Sequence, residues 1–230
     1  METAIRRPVR TTKPEARIFL QPVAAPSVLG YFALGSGLII WGSWFAAGWG
    51  TEQDPSSFFP FLLLFAGVGQ LGAALWAYRA RAGVAAALHG SWAAFFMGVG
   101  LIYLLVTTHT IVAPARGDAW QSLGQWLIYM SVISLTTAVA ALARSPVGFV
   151  AQAVLAAGSA FAAAGLLLPS ASLQEVGGWL FVAAAVFGFY AGAALMLDSV
   201  YGIAVLPLLR RGKAEPVEYA RGDPGVKVGQ

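Results

Sequence analysis

Six long apolar segments, separated by short polar ones, make up most of this 230-residue chain. They cover residues 28–49, 58–78, 84–107, 123–142, 147–168 and 178–209. Each of the first five has about 20 to 24 residues, enough for an α-helix to cross a hydrocarbon core of about 30 Å. Transmembrane strands would instead be about 9–11 residues long and would alternate apolar with polar residues. The pattern therefore predicts an all-α integral membrane protein, a six-transmembrane-helix bundle.

The sixth segment is longer than one membrane crossing requires. As a single helix it would extend about 48 Å. We expect it to cross the membrane to around Leu197 and then to break or leave the membrane near Asp198 and Gly202. In this interpretation Asp198 is an anchor at the end of the helix rather than a proton-carrying site.

The residue types present narrow the chemistry that the chain can perform. It has no cysteine and only two histidines, His89 and His109, which lie far apart in the sequence. Disulfides, thiolate metal sites and cysteine nucleophiles are excluded, and a metal site built from histidines is disfavoured. No nucleophile–base pair, ligand cluster or phosphate-binding loop is visible in the sequence. We therefore predict a protein that is not an enzyme, with no catalytic residues, metal, cofactor or nucleic-acid partner.

The basic residues predict the orientation of the bundle. Six crossings place both termini on one side, and that side holds all but one of the 14 basic residues. These are Arg6, Arg7, Arg10, Lys13, Arg17, Arg79, Arg81, Arg144, Arg210, Arg211, Lys213, Arg221 and Lys227, and the exception is Arg116. The positive-inside rule then predicts a multi-pass protein of the plasma (inner) membrane with both termini in the cytoplasm.

The same reading divides the chain into three parts. Residues 1–24 form a basic cytoplasmic tail, residues 25–209 the six-helix transmembrane domain, and residues 210–230 a second basic and polar tail. Tryptophans toward the opposite membrane face are expected to form part of an aromatic belt at the interface, namely Trp41, Trp44, Trp49 and Trp120.

Neutral polar residues are the candidates for hydrogen bonding inside the membrane, because the predicted spans contain no Lys, Arg, Asp or Glu before Asp198. Gln70 lies eight residues from the inner end of its span, a depth of about 12 Å. Its buried amide either joins neighbouring helices or lines a pathway for solute. His89 lies near the inner end of the third span. There an interfacial role and a response to a proton gradient both stay open.

Three stretches, in order along the chain, point to one family. Residues 25–31, "APSVLGY", retain Pro26, Leu29 and Gly30 of an Asn-Pro-Ala-Pro-Leu-Gly-Leu signature that opens the first span of that family. Residues 65–96 resemble its second and third spans. Residues 178–208 resemble its last span, matching at Gly178, Trp179, Tyr190, Gly202, Val205, Leu206 and Pro207. On these motifs the chain resembles the acetate uptake transporters of the succinate–acetate permease type, over nearly the whole membrane domain.

The resemblance implies a function and a set of site residues. Members of the family carry acetate and related small carboxylates, often with protons, and assemble in bacteria as homo-hexamers with a pore in each protomer. The apolar constriction of the family's pore falls on Leu34, Trp92 and Leu155. These lie six, eight and eight residues from the inner ends of their spans, at depths of roughly 9, 12 and 12 Å, the layer of Gln70. His89, one turn from Trp92, would line the inner vestibule.

Some positions depart from the family's pattern. Ala25 and Val28 replace the Asn and the second Pro of the signature. Ala77, Leu195 and Ile203 stand where the family has charged residues. Because these charged residues are absent, the sequence does not determine whether transport is coupled to protons or which solute is carried. The alternatives are a pore for neutral small solutes (water, ammonia or an undissociated acid) and a membrane scaffold that transports nothing.

Overall fold

The computed structural model describes residues 24–46, 55–112 and 120–210, except for the side chains at positions 55, 56 and 58. Within these ranges the chain forms six long helices and no strand, and all six are long and apolar enough to cross a membrane. They are α1 (Pro26–Phe45), α2 (Pro55–Arg79), α3 (Gly83–Thr107), α4 (Gln121–Leu142), α5 (Pro146–Leu167) and α6 (Ala171–Tyr201). The predicted all-α, six-helix membrane fold is thus confirmed. The predicted tails up to residue 23 and beyond residue 210, together with Trp49 and Arg116, lie outside the described residues.

Helix α2 consists of three consecutive segments. The turn Pro55–Pro60 and the final part, Gln70–Arg79, are α-helical, whereas Phe61–Gly69 between them is π-helical. Pro60 lies at the junction and has no backbone N–H to donate, so the regular α-helical hydrogen bonding is interrupted there. The π-helical segment ends directly before Gln70.

Proline, serine and glycine mark several helix ends for clear physical reasons. Pro26 and Pro146 are the first residues of α1 and α5, where a backbone N–H would have no partner within the helix. Ser145 and Ser170 cap α5 and α6, their hydroxyl oxygens accepting from Gly148 N and Leu173 N. Gly202 ends α6 in the left-handed region, at φ +67°.

Helix α6 differs from its prediction at its first end. It begins at Ala171, seven residues before the predicted position 178, because the Ser170 cap starts the helix before the apolar run does. Gln174, one of the polar residues that made this stretch resemble a loop, is buried and donates its amide to Gly165 O at 3.0 Å. At the other end, the predicted break near Asp198 and Gly202 is confirmed at Gly202.

The six helices are arranged as a ring. Consecutive helices pack against each other, and α6 packs along α1 to close the circle. The α3–α4 seam has the least packing, and two hydrogen bonds cross it, Trp92 Nε1 to Ser134 Oγ at 3.2 Å and Ser91 Oγ to Tyr129 Oη at 3.1 Å. One buried apolar cluster fills the middle and draws on every helix, including Leu38, Leu62, Phe96, Leu127, Leu155 and Phe181.

The chain after α6 folds back toward the bundle. Tyr190 Oη donates to Pro207 O at 2.9 Å, Ser145 Oγ donates to Leu208 O, and Arg210 pairs with Asp198 at 3.1 Å. Ser145 marks the first turn of α5. The return segment, residues 203–210, therefore reaches the level at which α5 begins. The last 11 residues of α6 extend roughly 16 Å beyond Tyr190. We call the end of the bundle where α1, α3 and α5 begin the inner end.

Candidate functional site

Trp92 stands at the centre of the bundle. Its side chain is 0% exposed and is surrounded by three aromatic rings, with centroid distances of 5.2 Å to Phe95, 5.6 Å to Phe96 and 6.0 Å to Phe181. Leu34 and Leu155, the other two residues of the predicted constriction, are 2% and 1% exposed and belong to the same buried cluster. Three helices, α1, α3 and α5, thus supply these bulky side chains to one apolar region.

A short polar path leads from Trp92 across α4 to α5. The indole Nε1 of Trp92 donates to Ser134 Oγ. One turn further along α4, the hydroxyl of Thr137 lies 2.9 Å from Ser134 O and 3.4 Å from Gln152 Oε1 on α5. All three polar side chains are buried. They therefore form a neutral, hydrogen-bonding wall beside the apolar constriction residues.

A second polar pair lies between α2 and α3, one turn from Trp92. Gln70 and His89 are both 0% exposed. Gln70 Nε2 donates to Ala66 O at 3.1 Å, and Gln70 Oε1 lies 3.4 Å from His89 Nδ1. The structure thus joins two residues that the sequence singled out separately. His89 Nε2 is buried and has no hydrogen-bond partner among the residues that the structure describes.

Gly30 provides the space that His89 occupies. A Cβ built on Gly30 would lie closer than 3.0 Å to Cε1, Nε2 and Cδ2 of His89, at nearly equal distances from all three. A point nearly equidistant from three atoms of a ring lies over its face, so the imidazole rests flat against the Gly30 backbone. The Tyr31 ring meets the imidazole edge to face at a centroid distance of 5.3 Å.

The three retained signature residues do different things. Pro26 is buried at the start of α1, Gly30 packs against His89, and Leu29 is 45% exposed on the outside of the helix. Only Gly30 thus reaches the residues singled out as the site. The sequence identified Gly30 as a signature residue, but it could not predict that His89 packs against it.

A layer of aromatic residues lies on the far side of Trp92 from the inner end. Trp41 is fully buried and stacks on Phe45 at a centroid distance of 5.0 Å. Its Nε1 donates to Tyr103 Oη at 3.3 Å. The assignment of Trp41 to an interfacial belt is therefore wrong, because its ring fills the bundle interior, where the indole N–H finds a partner on α3.

Sequence reasoning missed several members of this region. Phe181 contacts both Trp41 and Trp92. In the sequence it cannot be distinguished from the apolar residues that face lipid, because its whole span is apolar. A Cβ built on Gly42 would lie 2.8 Å from Phe181, and one built on Gly158 would lie 3.0 Å from it. In the sequence, these two glycines were the only sign that a bulky side chain from another helix packs there. Ser134 was a neutral polar residue without a known partner until the fold placed Trp92 opposite it.

The arrangement can strip water from a small solute and offer it neutral hydrogen-bonding groups in return. The buried polar side chains of the described residues are serines, a threonine, glutamines and one histidine, with no carboxylate, ammonium or guanidinium among them. No group of three or more His, Asp or Glu side chains suited to holding a metal occurs in the described ranges. A fully charged solute would therefore gain no counter-charge from this interior.

Comparisons with known proteins agree with this architecture. The family model described as the GPR1/FUN34/yaaH family matches residues 9–209. Among solved structures, one titled as the bacterial acetate channel SatP superposes with a TM-score of 0.71 at 20% sequence identity. The superposition covers 81% of this chain and 99% of that one, so the two share a fold. A comparison with curated protein sequences finds no match.

Proposed function

The chain belongs to the GPR1/FUN34/yaaH family, as its motifs predicted, and from this premise we propose that it takes up acetate or similar small monocarboxylates through a pore in each protomer. The observation that carries the proposal is the convergence of Leu34, Trp92 and Leu155, from three helices, on one buried region beside neutral polar groups. The chain is a multi-pass membrane protein, and in this proposal the pore runs through the middle of the ring of helices.

In this proposal the three bulky side chains form the constriction. Their burial means that a solute passes only when they move apart, which makes them a gate as well as a filter. Ser134, which accepts from Trp92, and Gln70, which pairs with His89 one turn away, would supply hydrogen bonds as the solute loses water. Because those groups are neutral, they replace hydration without holding the solute strongly.

A second candidate is a pore for neutral small solutes such as water, ammonia or an undissociated acid. It is favoured by the absence of charged side chains from the buried interior of the described helices. The two candidates differ in the species that crosses. Passage of the anion depends on the acetate concentration, whereas passage of the undissociated acid depends only on the concentration of that neutral form.

We further propose an inner-membrane location with cytoplasmic termini, assembly as a homo-hexamer, and domain limits at residues 25 and 209. The orientation rests on the distribution of basic residues. Assembly is consistent with the large apolar side chains that α2 and α4 present on the outside, including Leu64, Trp76, Val132 and Val139. In a bilayer such a face meets lipid or a neighbouring protomer.

Uptake of labelled acetate into proteoliposomes tests the proposal. We expect uptake above that of empty vesicles. Trp92→Ala should change both the rate and the preference for acetate over longer carboxylates, because it widens the constriction. Trp179→Ala is the matched control, since Trp179 is 47% exposed on α6, a helix outside the face proposed for assembly. No uptake above empty vesicles would refute transport, and equal effects of the two substitutions would refute the assigned constriction.

A pH gradient separates the two candidates. Because the undissociated acid fixes the product of proton and anion concentrations, its concentration is held constant while the outside pH and the acetate concentration are raised together. Uptake that rises with the acetate concentration in this series supports passage of the anion. Uptake that depends only on the concentration of undissociated acid supports the neutral-solute pore.

A further inference from the structure

We propose that His89 Nε2 is a hydrogen-bond acceptor site for the donor group of a neutral solute, the hydroxyl of an undissociated short-chain carboxylic acid. The inference rests on the proposed transport function and specifies which protonation state of the substrate the inner vestibule takes. It follows from the hydrogen bonds around His89, from the position of its ring, and from the absence of charge near it.

The hydrogen bonds of Gln70 determine where the proton of His89 resides. The atom of the Gln70 amide that faces Ala66 O must be the NH₂ group, because a backbone carbonyl oxygen can only accept. The atom facing His89 Nδ1 is then the amide oxygen, which also can only accept. Nδ1 must therefore carry the hydrogen. In the neutral imidazole Nε2 is then left with a lone pair and no hydrogen.

The position of the ring shows that Gly30 does not cover this lone pair. The backbone of Gly30 covers the face of the imidazole, whereas the lone pair of Nε2 lies in the ring plane. The in-plane directions of the two ring nitrogens diverge widely. With Nδ1 aimed at Gln70 on α2, Nε2 is aimed away from that helix. It is 0% exposed, one turn from Trp92, and unpartnered among the described residues.

A buried acceptor without a donor is costly, so such groups in native structures commonly have a function. The groups that the structure records against His89 are Gly30 and Tyr31 on α1 and Gln70 on α2. None of the three is charged at neutral pH. No Lys, Arg, Asp or Glu occurs in α1 or α3, and the only one in α2 is Arg79 at its last position.

The chemistry of an acceptor selects one form of the solute. An acetate ion has only acceptor oxygens, which would face the Nε2 lone pair without a shared hydrogen. Acetic acid has an O–H that can donate to Nε2 and a methyl group suited to the apolar rings around Trp92. The site therefore favours the undissociated acid over its anion at this point of the pathway.

Nitrogen NMR of the ¹⁵N-histidine-labelled protein in lipid nanodiscs tests the inference directly, because the chain has only two histidines. His109→Asn removes the second signal pair and suits the positive φ at that position. At neutral pH we expect His89 Nδ1 to be protonated and Nε2 unprotonated. Acetamide, a neutral donor, should shift the Nε2 signal, whereas N,N-dimethylacetamide, which has no N–H, should not. Acetic acid should act as acetamide does.

Two outcomes would overturn the proposal. One is a protonated Nε2 at neutral pH in the absence of solute. The other is an equal response of Nε2 to acetamide and N,N-dimethylacetamide. Both measurements use the side chains of the native site and need no transport, so they stand even if acetate uptake is not observed. Absence of uptake would refute the proposed function alone.

Substitution of His89 provides a second test, in which the binding of acetamide is measured. His89→Phe keeps a planar ring on Gly30 but removes the acceptor, and we expect acetamide to bind roughly two- to tenfold more weakly, as for the loss of one neutral hydrogen bond. Because His89→Phe also deprives Gln70 Oε1 of its donor, the double variant His89→Phe/Gln70→Leu is measured alongside. Binding of acetamide unchanged in both variants would exclude His89 as the acceptor.

Discussion

At the scale of single residues, the inner part of the site depends on a glycine and a histidine that fit each other. The imidazole of His89 lies where the side chain of any other residue at position 30 would be. In this position the ring directs Nδ1 at Gln70 Oε1, 3.4 Å away. Gly30, which the sequence identified only as a signature residue, thus has an identifiable partner in His89.

We predict that Gly30→Ala destabilises the protein by about 1–3 kcal/mol, because the new methyl group displaces the His89 ring from a closely packed interior. Thermal unfolding in detergent measures the change. Gly72→Ala is the control: a Cβ there meets nothing within 4 Å, so its midpoint should stay the same or rise. The loss should be largely recovered in Gly30→Ala/His89→Ala relative to His89→Ala. No recovery would mean that His89 is not the group displaced.

We predict that Ser134→Ala destabilises the protein by about 1–3 kcal/mol, because it leaves the buried indole N–H of Trp92 without an acceptor. Ser36→Ala is the matched control, since the Ser36 hydroxyl donates to Ala33 O within its own helix. Thermal unfolding of both variants gives the comparison. Equal midpoints would show that the Trp92–Ser134 hydrogen bond contributes nothing to stability.

At the scale of helices, α6 is held between two neighbours by adjacent glycines. A Cβ on Gly177 would lie 2.6 Å from Ala162 N of α5, and a Cβ on Gly178 would collide with Ala46 N at the end of α1. The obstructing atoms are backbone atoms, which cannot move aside as a flexible side chain can. The closure of the ring through α1, α6 and α5 therefore requires small residues at both positions.

We predict that Gly178→Ala forces α1 and α6 apart and costs at least about 1–3 kcal/mol, the usual range for overpacking. Gly98→Ala in α3, where a Cβ would meet nothing within 4 Å, is the control. Fluorescence-detected size exclusion after heating should show early loss of the Gly178→Ala protein and a normal profile for Gly98→Ala. A normal profile for both would contradict the close α1–α6 approach.

Helix α6 is longer than the thickness of the membrane. Its 31 residues extend about 46 Å, well beyond a hydrocarbon core of about 30 Å. Part of the excess lies at the inner end, where Asp198 and Arg210 pair at a partly exposed site. A pair this exposed contributes little to stability, so the return segment is held mainly by the hydrogen bonds from Tyr190 and Ser145.

At the scale of the whole molecule, six helices form a ring whose interior is apolar, aromatic and uncharged across the described residues. The ring explains why the constriction residues come from alternate helices. Within the ring, neutral polar side chains form a hydrogen-bonded pair on α2 and α3 and a hydrogen-bonded group on α4 and α5.

We predict that the inner end of the bundle faces the cytoplasm, as the distribution of basic residues indicates. The chain has no cysteine, so single cysteines report accessibility without background. Ala143→Cys, on the turn between α4 and α5, should react with a membrane-impermeant maleimide only in permeabilised cells. Val112→Cys, at a position 93% exposed after α3, should react in intact cells. The reverse pattern would invert the topology.

Much of the fold could be predicted from sequence because a transmembrane helix is determined by residues within a single segment. Its backbone hydrogen bonds close within the segment, and its length must match the bilayer, so apolar runs alone identified six helices. The predictions were wrong at two places where the hydrophobicity of a segment and the tertiary contacts of its residues disagree. The Ser170 cap and a buried Gln174 extended α6 into a polar stretch, and Trp41 lay inside although its position in the sequence favoured the interface.

The candidate site was predictable only in part. Leu34, Trp92, Leu155, Gln70 and His89 were singled out from motif positions and depth, and the structure places them together in the interior, while their roles stay predictions. Their mutual arrangement was not predictable. Which side chain fills the space beside Gly30, which atom of His89 faces Gln70, and which hydroxyl meets Trp92 depend on the faces that the helices present to each other.

By itself, the sequence determined the helical class, the number of crossings and the expected orientation, since hydrophobicity, helix length and charge act within single segments. The tertiary structure decided the contacts between segments: the Gly30–His89 fit, the π-helical turn before Gln70 and the unpartnered Nε2. The physical reason is that packing in a membrane relies on steric fit rather than on a hydrophobic difference between surfaces. Steric fit exists only once the helices are placed side by side.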